Sequence, residues 1–220
     1  MKKNIDCPRR ETERLLLGEE KEKAFSVIDI VLIAVIVLIL CFSIVQRVWI
    51  SPVNISGDSM NQTIDDNDWL LMDKFASPEF GDVVIIEISG ETNYIKRVIG
   101  LPGDELYMED GIVFRRKNGE EKFSALDEPY AYYSRSKRGM NFGRVKVEEG
   151  KIFVLGDNRC DSRDSRQIGT KNISDVLGVV PDWSIKNKKA ITAYYSSVLK
   201  ADNFILNLFG ITSCNGSVSR

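Results

Sequence analysis

Hydrophobic residues fill positions 24–46 almost without interruption, and Asp29 is the only charged residue among them. An α-helix needs about 20 apolar residues to cross the hydrocarbon core of a bilayer. A soluble core helix would show a polar face, and a cleaved signal peptide would have a shorter apolar region that ends at a small-x-small site. The pattern therefore predicts a retained transmembrane anchor over 24–46.

After the anchor, short runs typical of β-strands alternate with turn sequences, and helical periodicity is absent between them. This pattern predicts a mainly β, antiparallel domain over 47–187, with a polar excursion from the core sheet at 117–143. The predicted strands are 68–74, 82–88, 94–100, 105–109, 111–116, 144–150 and 151–156.

The last part of the chain has a different pattern. Apolar residues recur at helical spacing over 190–209, in a stretch that is too short and too polar in its middle to span a bilayer. We expect residues 188–220 to form a helical tail that packs on the domain, with a position in the membrane interface as the alternative.

Charge gives the expected orientation of the anchor. Seven lysines and arginines lie within residues 1–23, whereas Arg47 is the only one soon after the apolar run. The positive-inside rule then places 1–23 in the cytoplasm and the domain outside, with a single span in the plasma membrane. Asp29 would lie near the cytoplasmic interface or face a partner helix. The net charge of −2 gives no indication of nucleic-acid binding.

Ser59 lies in a glycine-containing polar loop with the sequence ISGDSMNQTI. It is either an ordinary loop serine or a nucleophile. The chain contains no histidine, so a Ser-His-Asp triad is excluded. Carboxylates, lysine, tyrosine and cysteine are then the possible side-chain bases for a serine nucleophile.

A lysine can act as a base only if burial in apolar surroundings lowers its pKa far below about 10.4. In the strand YIKRVIG, alternation places Lys96 and Arg97 on opposite faces, so one cation points inward if either face is buried. Arginine cannot be deprotonated, which leaves Lys96 as the candidate. The alternative is an edge strand that carries two solvated cations.

A third polar stretch, GDNRCDSRDSR at 156–166, follows the predicted strand 151–156. Its aspartates do not have the spacing of an EF-hand, and its arginines would repel calcium. Such a loop is either a polar surface loop or a buried hydrogen-bonded network that orients a site.

Together these stretches resemble the type I signal peptidases of Gram-positive bacterial type, membrane-anchored Ser-Lys proteases that remove signal peptides from exported preproteins. GDSMNQT (57–63) resembles the nucleophile motif Gly-x-Ser-Met-x-Pro-Thr, and GDVVII (81–86) resembles the next family strand. YIKRVIGLPGD (94–104) resembles the motif of the lysine base, and 156–166 matches Gly-Asp-Asn-Arg-x-x-Ser-x-Asp-Ser-Arg at every specified position. The resemblance covers about 24–186 and implies the antiparallel β-fold of that family.

The resemblance implies a role for each matching residue. Ser59 would be the nucleophile, its backbone N–H would help to hold the oxyanion, and neutral Lys96 would be the general base. Ser162 would hydrogen-bond Lys96 and orient it, and Met60 would pack beside the nucleophile.

The resemblance further implies an ion network behind the lysine, formed by Asp164, Arg166 and Arg97. Two positions depart from the family pattern. Gln62 replaces the motif proline, which loosens a backbone restraint without removing a catalytic group. Gly57 stands where some members place a hydroxyl residue as an oxyanion donor, and the neighbouring Ser56 is a possible substitute.

The implied substrates are secretory preproteins with small residues at positions −1 and −3, held in shallow apolar pockets around Val83 to Ile86. Membrane lipid and the export translocon are further expected partners, and no metal, nucleotide or other cofactor is expected. A second Ser-x-x-Lys sequence, Ser134 to Lys137, lacks the partner motifs of penicillin-binding enzymes and is assigned to the polar excursion. The alternative to an enzyme is an anchored β-domain that binds peptides or organises the secretion machinery.

Overall fold

The structure, a computed structural model, describes residues 26–89 and 92–208. The predicted segment 1–23 and the end of the tail, 209–220, lie outside the described residues. The first element is helix α1, Val27–Trp49. Ser26 begins it, because its backbone N–H donates to Asp29 and its hydroxyl accepts from the N–H of Ile28. Among the described residues α1 is the one helix long and apolar enough to cross a membrane.

After α1, the described residues form two antiparallel sheets. The strands are β1 (Ile50–Asn54), β2 (Trp69–Asp73), β3 (Val83–Ser89), β4 (Thr92–Gly100), β5 (Glu105–Glu109), β6 (Ile112–Arg116), β7 (Ser124–Ala125), β8 (Phe142–Lys146), β9 (Lys151–Leu155), β10 (Lys171–Asn172) and β11 (Val176–Val180). The larger sheet has seven strands in the order β1-β2-β11-β3-β4-β9-β10, and the smaller has four in the order β7-β6-β5-β8. The mainly β prediction with a preceding helix is therefore confirmed.

Strand β4 lies in the interior of the large sheet, paired with β3 on one side and β9 on the other. Both of its faces are covered. Ile95 belongs to an apolar cluster with Met60 and Leu70, whereas Val98 packs in a separate cluster on the other side. The alternative of an edge strand with two solvated cations is therefore wrong, and both cations of this strand are buried.

Four strands were not predicted from the pattern, and their sequences explain why. β1 contains Pro52, which fits here because β1 is an edge strand and needs fewer backbone donors. β11 contains Gly178 in its centre. A Cβ atom there would lie 2.7 Å from the carbonyl oxygen of Asp73, so β11 and β2 approach each other more closely than a side chain allows. β7 and β10 each have two residues, too few for a detectable alternation.

Three further helices follow α1 among the described residues: α2 (Ser165–Ile168), α3 (Asp182–Lys186) and α4 (Lys188–Leu208), with a 3-10 turn at Ile173–Asp175. The helical periodicity of 190–209 corresponds to α4. This helix packs on β2, where the ring of Tyr195 stacks on Trp69 at 5.2 Å.

Two hydroxyl groups from these helices complete the hydrogen bonding of β2. Ser184 on α3 accepts from the N–H of Leu71, and Thr192 on α4 accepts from the N–H of Trp69, both at 2.8 Å. Since β2 is paired with β11 only at Asp73, these N–H groups would otherwise lack a partner on that side.

We expect Ser184→Ala to lower the free energy of unfolding by about 1–3 kcal/mol, because it leaves the N–H of Leu71 unpaired beside a fully buried position. Thermal unfolding of the detergent-solubilised chain measures the loss. Ser197→Ala is the matched control on an exposed face of α4, with an expected change within about 0.5 kcal/mol. Equal effects of the two substitutions would contradict this account of β2.

Candidate active site

Ser59 lies in the loop between β1 and β2. Hydrogen bonds between the backbones of Ile55, Asn67 and Asp68 close the base of this loop. Met60 is fully buried, and its carbonyl accepts from the N–H groups of Thr63 and Ile64 in a tight turn. The buried Met60 side chain thus fixes the backbone next to Ser59, which is itself half-buried.

Lys96 reaches Ser59 from the centre of β4. Its Nζ lies 2.7 Å from the Ser59 Oγ and donates to the carbonyl of Ile95 at 2.8 Å, and the residue is only 3% exposed. Burial lowers the pKa of Lys96 to about 8, although the carboxylates of Asp164 and Asp157 act in the opposite direction. A substantial fraction of this amine is therefore neutral near pH 8.

The 156–166 loop, which follows β9, holds the serine loop from behind. The N–H of Asn158 donates to the Ser59 carbonyl, and its side-chain amide donates to the carbonyl of Asp58, both at 3.0 Å. Gly156 is required at the contact, because a Cβ atom there would lie 2.5 Å from the Ser59 carbonyl oxygen. The loop is therefore part of the site and not a solvated surface loop.

The charged residues behind the lysine form two separate ion pairs, not the single expected network. Arg97 donates to both oxygens of Asp157, at 2.8 and 2.6 Å, and Arg166 donates to both oxygens of Asp164, each at 2.7 Å. All four side chains are largely buried. Bidentate arginine–carboxylate pairs are the geometry in which buried charge is best compensated.

Asp157 is the residue that sequence reasoning missed. Besides Arg97, its carboxylate accepts from the hydroxyl of Thr63 at 2.7 Å. It thus joins β4 to the loop of Ser59. The signal was present in the sequence, because an inward-pointing arginine requires a buried carboxylate and the 156–166 loop offers several.

Asp164 has a structural task in addition to its ion pair. It is the N-cap of α2, accepts from the N–H of Arg166, and forms a capping box with Gln167. Its second oxygen accepts from the N–H of Gly156 at 3.0 Å. The Asp164 carboxylate therefore hydrogen-bonds residues at both ends of the 156–166 loop and holds these ends together.

Ser162 does not make the hydrogen bond that the resemblance implies. Its Oγ is buried and has no hydrogen-bond partner in the described part of the chain, and Lys96 donates to Ile95 instead. The Ser162 Oγ would lie 2.2 Å from a Cβ atom built on Gly156, so this side chain fills the space that the glycine leaves open.

Ser59 and Lys96 line one open cavity of about 350 Å³. Val83 to Ile86, which we expect around the substrate pockets, are buried on β3 and do not line this cavity. The cavity is lined by Ser56, Gly57, Asp58, Ser59, Asn93, Tyr94, Ile95, Lys96, Asp161 and Arg163.

In this antiparallel β-domain a serine hydroxyl meets a buried amine at an open cavity, which is the arrangement expected of a serine peptidase that works without histidine. The family model described as signal peptidase, peptidase S26 matches residues 27–183, and the chain belongs to this family. It is a serine endopeptidase that cleaves signal peptides from exported preproteins. The non-enzymatic alternative is not favoured.

The relatives include several Bacillus enzymes. A signal peptidase I P of Bacillus subtilis subsp. natto is 35% identical over 173 residues, which cover 74% of this chain and 92% of the relative. A signal peptidase I of Bacillus licheniformis is 37% identical over 160 residues, 67% of this chain and 80% of the relative. A crystal structure of a signal peptidase I from Enterococcus faecalis is 26% identical, has a TM-score of 0.40, and covers 48% of this chain and 98% of that one.

The backbone conformation of Gln62, which replaces the motif proline, differs from the conformation that proline adopts. Gln62 has a φ of 74°, in the left-handed region, and its N–H donates to the side chain of Asn61 at 2.8 Å. Proline fixes φ near −65° and has no N–H, so it cannot occupy this turn as it is built here. With Gln62 the backbone forms a turn that proline cannot form, so the replacement does more than loosen a backbone restraint.

We therefore expect Gln62→Pro to destabilise the fold by about 2–3 kcal/mol, although it restores the family motif. Gln62→Gly should be neutral or stabilising by up to about 1 kcal/mol, because glycine adopts positive φ without steric cost. Thermal unfolding of both variants beside the wild type makes the measurement. A proline variant as stable as the wild type would show that the turn is not left-handed.

Proposed function

We propose that Ser59 and Lys96 are the catalytic dyad of this signal peptidase. One observation carries the proposal: the buried amine of Lys96 lies 2.7 Å from the Ser59 Oγ at the edge of the cavity. Neutral Lys96 would take the hydroxyl proton as the Ser59 Oγ forms a bond to the scissile carbonyl carbon. The ammonium would then give its proton to the leaving amine, and a water activated by Lys96 would hydrolyse the acyl-enzyme.

The oxyanion would be held at the backbone of Ser59. Its N–H makes no hydrogen bond within the described residues, which leaves it available to the substrate. The N–H of Gly57 is already donated to Asp66 at 2.8 Å, so it does not serve this purpose. Ser56 lines the cavity and is the hydroxyl that could supply a second donor.

The remaining residues would support the dyad without touching the substrate. Met60 anchors the serine backbone, and Ser162 occupies the space beside Gly156. Arg97 with Asp157 and Arg166 with Asp164 would keep the charge behind Lys96 balanced, so that the amine stays neutral at moderate pH. These supporting roles are part of the proposal.

We propose further that α1 is a single-pass anchor in the plasma membrane, with residues 1–23 in the cytoplasm and 47–220 outside. The excess of basic residues before the span supports this orientation. Every described side chain from Val27 to Ile44 is exposed, so lipid is the partner that would cover them. The peptidase domain would comprise 47–187 and the helical tail 188–220, with the translocon as the source of preprotein.

Ser59→Ala and Lys96→Met should each abolish cleavage of a peptide with an Ala-x-Ala site, by about 10⁴-fold or more in kcat. Since the reactive form of Lys96 is the deprotonated amine, wild-type activity should rise with pH and reach half its maximum near pH 8. Steady-state cleavage by the detergent-solubilised chain between pH 5 and 10 tests both expectations.

The second Ser-x-x-Lys sequence supplies matched controls. Ser134 and Lys137 are exposed residues of the polar excursion, so Ser134→Ala and Lys137→Met make the same chemical changes away from the cavity. Both should keep wild-type activity. Full cleavage by the Ser59→Ala or Lys96→Met variant would disprove the dyad.

The orientation can be tested on intact cells by adding a protease to the medium. A tag placed before residue 1 should be protected, whereas a tag after residue 220 should be digested, because the basic segment holds the N-terminus inside. Permeabilised cells, in which both tags are digested, are the control. The opposite protection pattern would overturn the proposed orientation.

A further inference from the structure

The polar excursion at 117–143 returns to the candidate active site at residues 128–133. This 128–133 segment, EPYAYY, begins with a turn in which the N–H of Ala131 donates to the carbonyl of Glu128. None of its residues lines the cavity or hydrogen-bonds Ser59 or Lys96 in the described structure. It contacts instead the elements that hold those two residues.

The first set of contacts is to the 156–166 loop. The N–H of Tyr132 donates to the carbonyl of Asp157 at 2.7 Å, and the N–H of Arg159 donates to the carbonyl of Tyr132 at 2.9 Å. These two bonds form a short parallel bridge. Asn158, the residue between these two bonds, donates to the carbonyls of Asp58 and Ser59.

The second set is a buried ion pair. Arg159 donates to both oxygens of Glu128, at 2.6 and 2.9 Å, and the two side chains are 0% and 7% exposed. The same guanidinium donates to the carbonyl of Gly156 at 3.1 Å. Arg159 would be an uncompensated buried cation without Glu128, so the turn at 156–159 depends on this carboxylate.

The third contact is to β4 itself. The ring of Tyr130 covers the guanidinium of Arg97 at 4.0 Å, while the edge of that guanidinium binds Asp157 and the carbonyl of Gly81. An aromatic face over a buried arginine is attractive and excludes water from the ion pair beneath it. Tyr130 therefore holds Arg97, the residue that follows Lys96 on β4, in contact with Asp157.

We propose that Glu128 and Tyr130 are positioning residues of the peptidase reaction, which lock the 156–159 turn and Arg97 and thereby fix the separation of Ser59 and Lys96. The inference rests on the proposed dyad. Its physical basis is that small displacements of reacting groups are costly in rate even when binding is unaffected.

The test compares Tyr130→Leu with Tyr130→Phe in the full-length chain, with an Ala-x-Ala peptide as substrate. Tyr130→Leu should lower kcat about tenfold or more and change KM less than about twofold, because the cavity lining is untouched. Tyr130→Phe keeps the aromatic face over Arg97 and should retain kcat within about threefold.

The pH dependence of the rate distinguishes a positioning effect of Tyr130→Leu from a smaller amount of folded protein. The charged groups around Lys96 are Asp157 and Asp164, with Asp58, Asp161 and Arg163 in the cavity lining. If Arg97 loosens from Asp157, that carboxylate favours the ammonium form of Lys96 more strongly. In Tyr130→Leu the half-maximal rate should therefore move to higher pH by about 0.5 unit, whereas partial unfolding would scale the rate equally at every pH.

Tyr107→Leu is the matched control, since Tyr107 is a half-buried tyrosine of the small sheet that stacks on Phe114. It should lower stability without moving the pH profile. If Tyr130→Leu does not fold, the Glu128→Gln variant tests the proposal instead. We expect its kcat to fall and its KM to stay unchanged.

Three results would overturn the inference: wild-type kcat and pH profile in Tyr130→Leu, an effect on KM alone, or equal losses in the leucine and phenylalanine variants. For Glu128→Gln, wild-type kcat would do so. Full cleavage by the Ser59→Ala or Lys96→Met variant would instead count against the dyad itself, which distinguishes the two failures.

Discussion

The burial of one lysine in an interior strand is the constraint on which the site depends. Lys96 lies on β4 between β3 and β9, and no carboxylate is within salt-bridge distance of its amine in the described part of the chain. Water and a counter-ion normally keep a lysine charged, and here both are largely withdrawn. Burial thus raises the neutral fraction of Lys96, and only the neutral form of a lysine can accept a proton from a serine.

Adjacent residues of β4 show how the same burial has opposite consequences. Arg97 faces the other side of the sheet, where the two oxygens of Asp157 compensate the charge that a guanidinium always carries. Lys96 meets a carbonyl and a hydroxyl, which accept hydrogen bonds but bring no formal charge. The type of side chain and its partners, and not depth of burial alone, therefore separate a structural cation from a candidate base.

The sequence was sufficient for the elements whose signals are local, including the apolar helix α1 and most strands, and for the expected contact between Ser59 and Lys96. It was insufficient where the outcome depends on three-dimensional proximity. Asp157 was passed over because no sequence rule says which of several aspartates pairs with Arg97. β11 is not predicted because Gly178 interrupts its hydrophobic pattern. This glycine permits the close approach of β11 to β2. The left-handed Gln62 could not be foreseen either, since its conformation follows from the turn around it and not from its propensity.

The 156–166 loop contains buried polar atoms that would have hydrogen-bond partners in a purely structural loop. The Asn158 Oδ1 and the Ser162 Oγ are both buried and lack hydrogen-bond partners among the described residues. Each such atom costs free energy, and so does the desolvated amine of Lys96. The bidentate pairs of Arg97, Arg159 and Arg166 surround these groups and hold the loop in one geometry. The loop keeps one geometry despite these costly groups because charge-compensated bidentate pairs fix it on several sides, and departures from full polar satisfaction of this kind are typical of functional sites.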